Sequence, residues 1–446
     1  MYSTTYRRLA TFSYCLALFL GGLCVNIIGP AGPLLTRSLH ASGGMIGNIF
    51  TAEGAGNTLG SSMLGALLQR YSGHTIVGTL CFVLFFAVGL IPACTSLVQV
   101  VGLYVIIGGC LGLNNGAANT LVTWVHKGHN VGPWVNLINS SMGLGASSAP
   151  LLFVVVERRF GNGLAAFSAI GAFATVPALV ATFLPSPAPP PPKLLQHDGN
   201  EDSAHHPLRG LGMGHGTSSV FGVDLGSRAA YVRVTVIAPL LAVLTLVVGA
   251  EIAYAGWVYS YAIERVGMRP AEAACLNSLF WSTFTVGRLC TIPLAAYLTP
   301  GALLVPTMAI EVGSLLLIAA QPGSVRALWV GTAGAGIGVC ALYSNLLSLL
   351  ASYDLITPNT MSSLSMASAL GHMSIPNLVG VAIHSGGMGF DALIWIVTVA
   401  HAIGLVLITA VVVHLRRNFE PSADSLLGRR LRARRYEAAK SSTVEL

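Results

Sequence analysis

About twelve runs of some twenty mainly apolar residues follow one another along this chain, and that pattern leaves few ways to fold. Their limits are 9 to 36, 44 to 69, 75 to 96, 98 to 126, 132 to 156, 161 to 184, 232 to 262, 271 to 298, 301 to 320, 325 to 352, 358 to 384 and 388 to 415. A helix rising about 1.5 Å per residue needs about 20 residues to cross roughly 30 Å of hydrocarbon. Lipid cannot hydrogen-bond to a backbone, so a run of this length spans as a helix that satisfies its own peptide groups. Hydrophobic residues make up 54% of the chain and charged residues 9%, with a mean hydropathy of +0.72. No large water-soluble domain fits that composition. The expected fold is an all-α integral membrane protein with twelve transmembrane helices.

The chain also repeats itself at an offset of 226 or 227 residues, pairing Gly29 with Gly256, Gly60 with Gly287, Gly112 with Gly338, Asn119 with Asn345, Gly145 with Gly371 and Pro150 with Pro376. Each half is long enough for six spans. Two pseudo-symmetric six-helix bundles are therefore predicted, at 1–184 and 232–415, joined by a linker at 185–231 and followed by a basic tail at 416–446. In carriers built from parallel repeats, the binding site lies near the membrane midplane where the halves meet. The linker holds Pro189 to Pro192 and four histidines, His197, His205, His206 and His215, without recognised metal spacing. It reads as an extended, solvated segment.

Lys and Arg accumulate in cytoplasmic loops. With the N-terminus inside, sixteen of the 23 basic residues fall on the cytoplasmic side and six outside, leaving Arg288 within a span. Both termini are thus expected in the cytoplasm of a multi-pass protein, placed in the plasma membrane. The net charge of +7 gathers in the tail, at Arg429, Arg430, Arg432, Arg434 and Arg435. Such a cluster fits a positive-inside tail or a contact with anionic lipid, and nucleic-acid binding is not implied. The eight cysteines lie in or beside apolar spans without CxxC spacing, so neither disulfides nor a metal site is expected. Asn139-Ser140-Ser141 matches a glycosylation acceptor but lies inside a span.

Ionisable groups within spans are costly and so mark cavities or partners. Glu251 and Arg288 are the strongest of these, followed by Glu53 and Glu311; Glu53, Glu251 and Arg288 are taken as coupling or gating candidates. Counted along the helices, Arg288 lies about 15 Å deep and Glu251 about 28 Å, which argues against a direct ion pair. In the segment EIAYAGWVYSY, spacings of three, three and four put Glu251, Tyr254, Trp257 and Tyr261 near one helix face. An acid beside aromatic rings suits a sugar, and an interfacial aromatic belt is the competing reading. Amides form a second set of uncharged donors and acceptors suited to a polyol: Asn26, Asn57, Asn115, Asn119, Asn277 and Asn345. The matched pair Asn119 and Asn345 can equally bond helices together. Trp281 completes the substrate-binding candidates. His372 and His384 read as packed side chains. No phosphate-binding loop, HExxH or GxSxG element occurs, so enzyme chemistry and a cofactor are not expected.

Several segments carry a family resemblance: Gly22 to Pro30, Asn119 to Trp124, Val131 to Asn136, Gly143 to Pro150, Glu251 to Tyr261 and Leu276 to Pro293. Together they resemble the major facilitator superfamily, and within it the sodium-dependent glucose transporter-like branch related to fucose permeases. The resemblance implies rocking of two six-helix bundles and movement of a sugar, a small-molecule partner, together with Na+ or H+. Two departures stand out. Gln69 occupies a position in the loop after the second span where an acid is usual. Asn26 and Asn115 stand where related sugar symporters often carry acids, which would shift coupling to Glu53 or Glu251, or abolish it.

Overall fold

The computed structural model describes residues 3–41, 43–126, 132–188, 228–385 and 387–421, and these form helices without a strand among them. The N-terminal half comprises α1 (Thr4–Asn26), α2 (Ile28–Ser38), α3 (Gly43–Arg70), α4 (Gly73–Gly89), α5 (Leu97–Val125), α6 (Gly132–Phe160) and α7 (Ala165–Phe183). The C-terminal half comprises α8 (Arg228–Val232), α9 (Ala238–Glu264), α10 (Pro270–Tyr297), α11 (Pro300–Ala320), α12 (Val325–Val339), α13 (Leu342–Ala351), α14 (Pro358–Ser385) and α15 (Asp391–Asn418). Six spans per half bring the start of α1 and the end of α15 to the same end of the bundle. We call it the terminal end, and its opposite the distal end. The linker histidines and the tail arginines lie outside the described residues.

Short polar residues start several helices. Ser72 accepts from Thr75 N at the head of α4, and Ser96 forms a capping box with Gln99 at α5, each satisfying amides that a helix start leaves unpaired. Two spans expected to be continuous are broken. The first divides at Ile27 because Pro30 lacks the N–H that would bond the Asn26 carbonyl, and its ring crowds that oxygen. The tenth divides at Cys340 and Ala341, where the Cys340 carbonyl instead accepts from Arg288 Nε at 3.1 Å. Ahead of α9, a π turn over Arg233–Ile237 precedes Pro239, another residue without a donor.

The repeat in sequence is a repeat of contacts. A Cβ on Gly145 would lie 2.0 Å from the Phe19 carbonyl, and one on Gly371 would lie 2.1 Å from the Thr245 carbonyl. Both members of the second pair are the first pair advanced by 226 positions. Helices α1 and α6 thus meet as α9 and α14 do, backbone against backbone, the geometry that small residues allow in membranes. Glycine at these points is a steric requirement.

Ten helical stretches among the described residues are long and apolar enough to cross a membrane. The other two spans, α3 and α10, have 28 residues each but fall short in hydropathy, which corrects the reading of all twelve as apolar runs. The reason is their position. Helix α3 packs on α14 and α10 packs on α6, each across the boundary between halves, so one face of each meets protein, while Leu59, Met63, Val286 and Leu289 stay exposed. Part of their polar load is spent there, as Thr51 and Asn277 show.

Adding a methyl at Gly145 or Gly371 would overpack a backbone contact, which costs roughly 1–3 kcal/mol. Gly145→Ala and Gly371→Ala are each expected to lower the thermal unfolding midpoint of purified protein in detergent. Gly102→Ala, with nothing within 4 Å of the new carbon, is expected to leave it unchanged.

Candidate functional site

Buried amides fasten the halves together. Asn26 Nδ2, on α1, donates to the Ala146 carbonyl at 2.8 Å and to Asn277 Oδ1, on α10, at 3.2 Å. Asn277 Nδ2 in turn donates to the Ala255 carbonyl of α9 at 3.1 Å. Four helices from both halves meet in this chain of bonds, and Asn277 is fully buried. A second set joins α3 to α14: Thr51 donates to the Met373 carbonyl at 2.9 Å, and Asn377 Nδ2 donates to Asn48 at 3.1 Å and Thr51 at 3.0 Å. By helix direction both sets lie in the distal half. The conformation is closed there.

Between the halves at the distal end lies a cavity of about 370 Å³, lined among others by Thr36, Arg37, Phe50, Trp257, Ser260 and Glu264. The rings of Phe50 and Trp257 are 6.4 Å apart and inclined at 42°. Trp257 is oriented by its indole N–H, which donates to the Pro376 carbonyl at 3.0 Å, and Gly380 leaves room for its six-membered ring. The cavity thus combines aromatic surface with two hydroxyls, an acid and a base, a lining suited to a small polar solute.

A separate cluster occupies the core of the C-terminal half. Glu311 Oε1 on α11 stands 2.7 Å from His401 Nε2 on α15, and both side chains are buried. His401 Nδ1 donates to the Val397 carbonyl at 2.7 Å, so the nitrogen facing Glu311 meets the carboxylate only with a proton between them. Glu251 on α9 lies within electrostatic reach of Arg288, Glu311, His401 and His372. Arg288 makes no ion pair with it; the guanidinium sits 4.4 Å from the centre of the Phe284 ring and caps the broken end of α12 through Cys340, a favourable place for a cation. At the distal surface Arg265 Nε pairs with Asp391 at 2.8 Å, and that carboxylate raises the proton affinity of the guanidinium.

The candidate residues are therefore distributed over several environments. Of the α9 set, Trp257 reaches the distal cavity. Tyr254 is buried, with its hydroxyl 2.6 Å from Thr332, and Tyr261 is buried beside Arg265 and Asp391. The shared face is thus corrected to a stripe that meets different neighbours, because the 100° turn per residue lets spacings of three and four drift. Asn57 Oδ1 accepts from Ser61 at 3.3 Å. Asn115 accepts from Asn119, which accepts from Asn139 at 2.8 Å, so the apparent glycosylation acceptor is a helix-joining amide. Asn345 keeps an unpartnered Nδ2 and Trp281 an unpartnered indole N–H, both buried. Glu53 faces His372 across the halves at 3.9 Å. His401 was not legible as a partner; the signal was Glu311, an acid inside a span that demanded one.

Twelve spans in two pseudo-symmetric bundles, sealed by polar contacts on one side of an inter-half cavity, define a membrane transporter. Residues 14–354 match the model of the Major Facilitator Superfamily, and the chain belongs to that superfamily. It is 26% identical to sodium-dependent glucose transporter 1A of Mus musculus over 400 residues, 82% of this chain and 88% of that protein. It is 24% identical to sodium-dependent glucose transporter 1 of Homo sapiens, again over 82% of this chain, and 72% of the relative. The fold matches a bacterial homologue of the human lysosomal transporter Spinster in an inward-facing, occupied conformation, with TM-score 0.67 and 12% identity, covering 93% of this chain and 98% of that one. It also matches the nucleoside transporter NupG, with TM-score 0.63 and 14% identity over 93% and 100% of the two chains.

Asn277→Leu removes the amide that joins α1, α10 and α9. One lost net hydrogen bond is worth about 1 kcal/mol, roughly a fivefold shift toward distal opening. Modification of Ser260→Cys by a membrane-impermeant thiol reagent, in a cysteine-free background, is expected to speed up by about that factor.

Proposed function

We propose that the chain is a secondary active transporter of a hexose or related polyol, working by alternating access in the plasma membrane and coupled to a cation. The observation that carries this reading is the inter-half cavity: the Trp257 and Phe50 rings offer stacking surface for the apolar face of a sugar, while Thr36, Ser260 and Glu264 offer partners for its hydroxyls. Arg37 and Glu264 both line it, so the cavity carries no single sign of charge, which favours a neutral solute over an organic anion. The names borne by the mouse and human relatives agree. Basic residues concentrate at the terminal end, which supports a cytoplasmic terminal end and an extracellular distal end.

Uptake of labelled glucose into sealed liposomes holding the purified protein tests the substrate, and saturable uptake competed by other hexoses is the expected result. No uptake above empty liposomes would overturn it. Trp257→Ala, which removes an aromatic contact worth about 0.5–1.5 kcal/mol, is expected to raise the KM for glucose by up to about tenfold.

A further inference from the structure

The polar groups that line the distal cavity differ in the hydrogen-bonding capacity they keep for a solute. Thr36, on α2, donates its one hydroxyl proton to the Gly32 carbonyl at 2.9 Å, which leaves its oxygen with lone pairs alone for a ligand. His384, near the end of α14, also lines the cavity, and its Nδ1 stands 2.8 Å from the Gly380 carbonyl. A carbonyl can only accept, so Nδ1 carries the proton and Nε2 of the neutral ring is an acceptor. The Trp257 indole N–H is already committed to the Pro376 carbonyl at 3.0 Å. Glu264 brings a carboxylate, a third group that accepts without donating. Against these stand the Arg37 guanidinium, a donor, and Ser260, whose hydroxyl can do either.

His384 is also placed where a stacked solute would meet it. Its ring centre is 6.0 Å from that of Trp257, inclined at 56°, and 6.3 Å from that of Phe390, at 67°. Phe50, Trp257, His384 and Phe390 thus form one row of rings drawn from both halves, and all four line the cavity. The bond from Nδ1 to its own helix turns Nε2, across the imidazole, away from the α14 backbone. The side chain is exposed, so that nitrogen is open to a ligand.

We propose that the distal cavity selects its solute by the hydrogens of its hydroxyl groups, with His384 Nε2 and Thr36 Oγ1 as specificity-determining acceptors. The proposal rests on the carrier reading above and narrows its substrate class to polyols with free hydroxyls where these two atoms meet them. A hydroxyl satisfies either atom by pointing its proton at it. Fluorine at the same carbon has no proton to give, and an analogue bound that way strands a lone pair of the protein beside apolar rings. Fluorine still accepts weakly, so a site built of donors would tolerate it where this one does not.

The test is competition against uptake of labelled glucose in liposomes, using glucose analogues in which one hydroxyl at a time is replaced by hydrogen or by fluorine. In the parent, both replacements are expected to weaken competition alike at one or more positions. The expected factor is about tenfold, the scale of an acceptor left unpaired. His384→Leu is expected to remove this discrimination at one hydroxyl and keep it at the others, and His384→Gln, whose amide oxygen can accept, to restore it. Thr36→Val is expected to remove it at a different hydroxyl, and carries the same test alone should His384→Leu not fold. A purely structural role for these side chains would weaken every analogue equally and leave the pattern unchanged. Fluoro analogues that compete as well as glucose at every position, or variant patterns identical to that of the parent, overturn the proposal and leave the carrier reading standing. Absence of glucose uptake by the parent overturns both.

Discussion

The structure depends on hydrogen bonds that hold two halves of a membrane protein together without water and still permit separation. Inside a bilayer, a polar group that loses its partner has no solvent to turn to. The Asn26–Asn277 chain meets this demand with groups that each keep a second bond: Asn26 also holds the Ala146 carbonyl of its own half, and Asn277 the Ala255 carbonyl of the other. Parting the halves breaks the central link and leaves each amide anchored at home. A pair of acids at these positions would need protonation or counter-charges to do the same.

That arrangement gives the departures from the usual sugar-symporter pattern a physical sense. Asn26 stands where an acid is common in related carriers and serves as a neutral clasp. The buried carboxylates lie elsewhere. Glu53 sits at the seam with a histidine opposite, and Glu311 sits in the C-terminal core with a histidine in contact. The first pair spans the boundary between the halves, whereas the second lies within one half.

Much of this fold was legible in the sequence because its causes are local or periodic. Span lengths follow from bilayer thickness, and the repeat follows from glycines that backbone contact makes obligatory, as Gly145 and Gly371 show. The break at Ile27 was also written in Pro30, though the apolar run concealed it. The site was less legible. Asn26 and Asn277 could be picked out as amides within spans, but 251 positions separate them and nothing in either segment names the other. Trp257 and Tyr254 share a stripe, yet a drift of a few tens of degrees sends one to the cavity and the other to Thr332. His401 lies in an apolar stretch of α15, and the acid on α11 gives it a meaning.

The glycines make two kinds of close contact. Within a half, the nearest atom to a Cβ added at Gly22, Gly56, Gly60, Gly108, Gly145 or Gly371 is a backbone oxygen at 1.9 to 2.1 Å. Between the halves, the nearest atom at Gly29, Gly54, Gly143 or Gly256 belongs to a side chain: Asn277, Met373, Thr285 or Phe50. Backbone-to-backbone contact locks two helices in register, since neither surface can yield without bending a helix. A side-chain tip can swing through its rotamers and withdraw at little cost. Gly47, whose closest neighbour is the Asn377 backbone at the looser distance of 3.0 Å, lies at the distal rim, where opening would begin. The same residue type thus meets backbone oxygen at several contacts within each half and side chains at the contacts between halves, although Gly249, Gly336 and Gly404 show that side-chain contacts occur within a half as well. Glu53, Thr51 and Asn277 lie at this boundary, where polar groups of one half meet the other.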